Sequence, residues 1–144
     1  MADIVHEFIV SASPSAVFTL VATPEGLAQW WTKSSTGRVE KGAAYDLDFG
    51  PSARWAGVVT RCEPDTHFEL EITRAQADWM STRVGFALAP EGEHATRVTF
   101  HHTGWPAANE HWRASSYCWA MYLRLMRRHA EHGEFVPYGK RLEA

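Results

Sequence analysis

The chain has 144 residues, 45% of them hydrophobic and 22% charged, and its 14 Lys and Arg against 17 Asp and Glu leave a net charge of −3. That length suits a single domain over residues 1–144 with a core of its own. The charge offers no basic excess to release counterions from a nucleic acid, and no apolar run reaches the roughly 18–20 residues of a membrane span. No basic segment followed by an apolar stretch marks a signal peptide. Cys62 and Cys118 have neither a disulfide-framework nor a zinc spacing. A cytoplasmic protein with reduced thiols is therefore expected. The seven Trp, seven Phe and four Tyr supply core, and beyond that the wall of a ligand pocket.

Ile4–Val10 reads as a strand, with Ile4, His6, Phe8 and Val10 on one face. Ser13-Pro14 is an N-cap followed by a proline at the first helical position, and it opens a short helix through Val17, Phe18, Leu20 and Val21. Thr23-Pro24 repeats the signal for a second short helix carrying Leu27, Trp30 and Trp31. The period then changes to two. Strands are expected at Ala43–Phe49, Trp55–Arg61, His67–Arg74, Trp79–Leu88 and Thr96–His102, with turns at Gly50-Pro51-Ser52, Glu63-Pro64-Asp65 and Ala89–Glu93. This spacing makes an antiparallel meander. Pro106 is expected to open a long helix that ends at Gly133, its apolar stripe formed by Trp112, Ser116, Trp119, Leu123, Met126 and Ala130. A polar tail follows.

The apolar face of the sheet and the apolar stripe of the helix must cover each other. The predicted class is α+β: a curved antiparallel sheet wrapped around a long C-terminal helix, with two short helices after the first strand. Between sheet and helix, a gap not filled by side chains is the natural ligand site.

Three stretches carry a family resemblance. Ser13–Trp31 holds the two proline-started helices and ends at the aromatic pair Trp30-Trp31. Gly57–Pro64 resembles a middle strand and its turn, and Tyr117–Leu123 with His129–Tyr138 resembles a last helix and its exit. Together they resemble the START-like (SRPBCC) superfamily and its helix-grip fold, and within it the Aha-type branch of activator of heat-shock-protein ATPase homologues. The resemblance implies the fold and leaves activity open, because the superfamily includes lipid carriers, polyketide cyclases, hormone receptors, oxygenase subunits and co-chaperone domains. Nothing matches the oxygenase iron or Rieske ligands.

The candidate ligand-binding residues are Trp30, Trp31, Tyr45, Phe49, Trp55, Trp79, Phe86, Phe100, His102, Trp112, Trp119 and Leu123. His102 faces inward by parity with Val98 and Phe100, and is the candidate for binding a ligand oxygen or moving a proton. Tyr45 and Tyr122 offer orienting hydroxyls, and Trp105 reads as a loop aromatic. His101 and His102 point to opposite faces and cannot share a metal. His129 and His132 supply only two ligands, so no metal and no cofactor are expected. Arg83 faces away from the pocket unless the register slips by one. Asp46 and Asp48 read as solvent face. Ser115 and Ser116 lack a nucleophile-elbow pattern.

Three functions follow. The first is a binding protein for an apolar or aromatic small molecule. The second is a cyclase- or dehydratase-like enzyme using His102 with Tyr45 or Tyr122. The third is a co-chaperone-like interaction module with a chaperone partner. Paired strand edges would make a homodimer. No nucleic acid or membrane-span partner is expected.

Overall fold

The structure is a computed structural model that describes residues 2–144. The chain runs β1 (Ala2–Val10), α1 (Pro14–Ala22), α2 (Pro24–Leu27), β2 (Ser34–Thr36), β3 (Ala44–Asp48), β4 (Arg54–Glu63), β5 (His67–Arg74), β6 (Arg83–Glu91), β7 (Ala95–Trp105) and α3 (Glu110–His132). Short 3-10 turns occupy Ala77–Trp79 and Tyr138–Glu143. The seven strands form one antiparallel sheet in the order β1-β7-β6-β5-β4-β3-β2. The sheet curves around the helices, as the sequence predicts.

The paired proline starts act as their chemistry dictates. The Ser13 hydroxyl accepts the Ala16 amide at 3.2 Å. Thr23 serves two helices at once: its hydroxyl donates to the Thr19 carbonyl at the end of α1 and accepts the Gly26 amide at the start of α2. The two helices approach so closely that a Cβ on Gly26 would lie 2.1 Å from the Thr19 carbonyl oxygen. Only glycine fits there.

Strand register sets up inward rows of side chains. Phe68, Phe86, Phe100 and His6 lie opposite one another across β5, β6, β7 and β1, and Leu70, Val84, His102 and Ile4 form the next row. On the other face the Arg83 guanidinium lies within 3.4 Å of Glu69 and 3.3 Å of Glu71, so it turns outward as parity requires. The buried face of α3 carries Ser115, Trp119, Leu123, Leu125 and Met126. The helix lies nearest β1 and α1, and it is farther from the β3–β4 hairpin. On that side, bulky aromatic side chains must span the distance.

Several local expectations change. Trp79 belongs to a 3-10 turn, and β6 starts at Arg83. Ser81 adopts a left-handed φ of 64° between them, which breaks the extended run. Trp105 is the last residue of β7 and is fully buried. α3 starts at Glu110 because the Asn109 side chain caps it, accepting the Trp112 amide at 2.9 Å. Trp112 and Ser116, placed on the apolar stripe by spacing, are only half-buried. The short strand β2 has too little apolar alternation to be foreseen.

The polar tail is not loose. Arg141, 1% exposed, folds back under α2. Its Nε donates to the Val136 carbonyl at 3.0 Å, Nη1 to Thr32 at 3.0 Å and Nη2 to Ala28 at 2.9 Å. Phe135 and Tyr138 lie against the same guanidinium, with ring centroids 5.7 and 5.5 Å from its carbon. The fork satisfies carbonyls at the end of α2 that have no helical partner. Replacing Arg141 by Met should cost about 3 kcal/mol in urea unfolding, since buried carbonyls lose charged donors. Arg141→Lys should recover only part of that, because an ammonium cannot reproduce the planar fork. Unchanged midpoints in both variants would show that the tail is not anchored.

Candidate functional site

Five aromatic side chains close a ring. Trp31 meets Phe49 at a centroid distance of 5.3 Å, Phe49 meets Trp55 at 5.1 Å, and Trp55 meets Trp79 at 4.9 Å. Trp79 stacks on Trp119 at 5.9 Å, and Trp119 returns to Trp31 at 5.0 Å. They come from the end of α2, the β3–β4 hairpin, the 3-10 turn and α3. All five line one half-open cleft of about 340 Å³, with Ala53, His111, Ala114, Ser115, Cys118, Tyr122 and Tyr138 completing its wall. The volume falls within the roughly 300–1,000 Å³ range of small-molecule sites, and the wall has their character: mostly apolar, with a few polar groups.

The cleft ends where the interior becomes solid. Trp119 donates its indole N–H to His102 Nδ1 at 3.1 Å, His102 Nε2 lies 2.9 Å from the Thr82 hydroxyl, and that hydroxyl donates to the Trp79 carbonyl at 2.6 Å. The direction of this chain fixes the tautomer. Nδ1 accepts, so Nε2 carries the proton and gives it to Thr82. A second proton on Nδ1 would face the indole N–H donor. Burial pushes the His102 imidazole down to about 3, and His101 and His111 nearby add to the same direction. His102 therefore stays neutral, with both ring nitrogens occupied, behind Trp79 and Trp119.

Of the twelve residues singled out from sequence, Trp31, Phe49, Trp55, Trp79 and Trp119 lie around the cleft. Trp30, Phe86 and Phe100 pack beneath Trp119, and the Trp30 indole N–H is spent on the Leu20 carbonyl at 2.9 Å. The Tyr45 hydroxyl donates to the Ala22 carbonyl at 2.7 Å, and burial raises its pKa well above the ordinary phenol value. Leu123 borders a separate groove of about 170 Å³ between β1 and α3. Trp112 is half-buried and is not part of the cleft wall.

Spacing did carry a signal for four residues outside those twelve, among them Tyr122, already a candidate for an orienting hydroxyl. His111, Ser115, Cys118 and Tyr122 recur at i, i+4, i+7 and i+11, a second helical stripe beside the apolar one. Both phenols of the cleft are pushed up by burial, Tyr122 also by Tyr138 and Cys118, so they are neutral donors at neutral pH. Tyr138 spends its hydroxyl on the Phe49 carbonyl at 3.1 Å, which ties the tail to the cleft rim. Cys62 and Cys118 are free and half-buried. Among the described residues, no helix is long and apolar enough to cross a membrane.

A family model, activator of Hsp90 ATPase homolog 1-like protein, matches residues 11–131. The chain belongs to that family. Among solved structures, the Aha1 dimer from Colwellia psychrerythraea is 25% identical, with a TM-score of 0.83 over 93% of this chain and 99% of that one. CalU16 from Micromonospora echinospora is 18% identical, with a TM-score of 0.75 over 98% of this chain and 84% of the other. DynU16, from the dynemicin biosynthetic locus, is 21% identical, with a TM-score of 0.76 over 94% of this chain and 50% of that one. The latter two likenesses establish the shared helix-grip fold. No curated protein matches the chain. In this Aha1-like domain, the family's two-helix opening supplies Trp31 and its last helix supplies Trp119.

The neutral His102 sets a pH dependence. Below its ordinary value of 6.5 the unfolded chain takes up a proton that the folded chain refuses until about 3. The stability contributed by this site is whole above pH 6.5 and is lost as pH falls toward 3. Between pH 7 and pH 5 the wild type should lose about 2 kcal/mol more than a His102→Gln variant, as measured by urea unfolding. Equal losses in the two proteins would mean that His102 is not held neutral.

Proposed function

We propose that this chain binds a flat, largely apolar small molecule, aromatic or polycyclic, in the cleft ringed by Trp31, Phe49, Trp55, Trp79 and Trp119. The closed aromatic ring around a cleft of about 340 Å³ carries this reading. Such walls favour planar ligands, because ring faces and edges offer offset-stacked and edge-to-face contacts. His111 and Tyr122 stand eleven positions apart on α3, roughly 16 Å at about 1.5 Å per residue. A ligand lying along the helix would meet an imidazole near one end and a phenol near the other. An elongated molecule with oxygen acceptors suits that spacing.

Anthraquinone-2-sulfonate, a planar three-ring probe, should quench the tryptophan emission saturably and raise Tm. Trp55 is half-buried at the hairpin end, so Trp55→Ala should fold and bind the probe about tenfold or more weakly, a loss of about 1.4 kcal/mol. Quenching that never saturates, with no shift in Tm, would sink the proposal.

A second reading concerns self-association. The β1 strand is a sheet edge, and its outer face exposes Val5 (59%) and Ile9 (40%). Such an edge is a template for pairing, and the Colwellia psychrerythraea relative is described as a dimer. Sedimentation should give a dimer that Val5→Lys with Ile9→Lys converts to monomer. A wild type that sediments as a monomer at all concentrations would remove this reading.

A further inference from the structure

We propose that His111, oriented by Asp78, is a general base that takes a proton from the molecule bound in the aromatic cleft. The inference rests on the cleft being a ligand site and assigns it a reaction class: proton abstraction from an acidic C–H, as beside the carbonyl of a flat conjugated ketone.

The geometry begins with the cap of α3. Asn109 divides its side chain between two tasks. Its Oδ1 caps the helix, and its Nδ2 donates to Asp78 Oδ2 at 3.4 Å. The same carboxylate oxygen lies 3.1 Å from His111 Nδ1. Asp78 sits at the positive end of a 23-residue helix, where a carboxylate is favoured. A carboxylate only accepts, so Nδ1 carries the proton and Nε2 is left with its lone pair. The ring is further held edge-on to Trp105, with centroids 5.4 Å apart. A carboxylate that orients an imidazole and stabilises the imidazolium formed in the reaction is the arrangement a histidine base requires.

Location separates His111 from the other histidines. It lines the cleft, and it is the one imidazole among the cleft-lining residues, none of which is Lys, Asp or Glu. His102 is spent on Trp119 and Thr82. His101 pairs with Glu69 at 2.7 Å on the opposite face of the sheet. One turn along the same stripe, Ser115 offers a hydroxyl toward an enolate oxygen.

The step balances without a co-reactant. Nε2 takes the proton, the C–H electron pair forms the C=C bond, and the carbonyl π pair moves to oxygen. Returning the proton to another carbon completes an isomerisation and restores the neutral imidazole.

A probe with the same demand is 5-nitrobenzisoxazole. Removal of its C3 proton converts the C–H pair into the third C–N bond and breaks N–O, releasing a coloured nitrophenolate. Full-length protein should catalyse this with saturation. His111→Ala should lower kcat about 100-fold or more, within the range of about 10²–10⁴ for general bases, and should leave KM within about threefold. Asp78→Ala should lower kcat less and alter the pH profile. Long-range ¹⁵N spectra of the free protein should show the Nδ1–H tautomer at His111, lost in Asp78→Ala.

Wild-type turnover no faster than that of His111→Ala overturns the proposal, and so does an Nε2–H tautomer in the wild type. If either occurs while anthraquinone-2-sulfonate still quenches saturably, the base falls and the binding site stands. If quenching is absent as well, both fall.

Discussion

The hydrogen bond from the Trp119 indole to His102 decides where the interior stops and the cleft begins. It holds one large flat ring at a fixed depth between α3 and the sheet. Below it, Trp30, Phe86 and Phe100 find a surface to pack against. Above it, the other face of the ring becomes floor. A neutral imidazole is the right partner, because it can accept from the indole and donate onward to Thr82. A charged one would repel the donor it is meant to receive. The polar chain thus acts as a structural pin, and its satisfied groups let an ionisable residue remain uncharged at the centre of an apolar layer.

Much of this arrangement was legible from residue order. Two N-cap–proline pairs gave α1 and α2, alternation gave the meander, and inward parity gave His102, Phe100 and Phe86. Parity reports only which face a side chain takes. It carries no depth, and a helical start signal carries none either: Trp30 and Trp31, neighbours just after α2, end up one beneath Trp119 and one against the cleft. Arg83 illustrates the strength of the same signal: Val84 beside it is buried, and the guanidinium turns to Glu69 and Glu71.

What sequence left hidden depends on contacts between distant segments. Arg141 stands in a stretch with no periodicity, and only the orphan carbonyls at the end of α2 give it a buried place. Asp78 and His111 are 33 positions apart, and they meet because Ser81 turns the backbone into β6 while Asn109 delays the start of α3. The stripe His111, Ser115, Cys118 and Tyr122 was visible in principle. It was masked by the stronger apolar stripe next to it, with which it shares a border at Trp119. The aromatic ring itself is closed by residues from four elements, a juxtaposition that no local pattern encodes.

The anchored tail has a consequence for when the molecule becomes competent. Residues 138 and 141 follow every other wall-forming segment in the order of synthesis. Tyr138 can reach the Phe49 carbonyl, and the Arg141 fork can close over α2, only after the segments they bridge have been made. The rim of the cleft is therefore the last part of its wall to be supplied during synthesis.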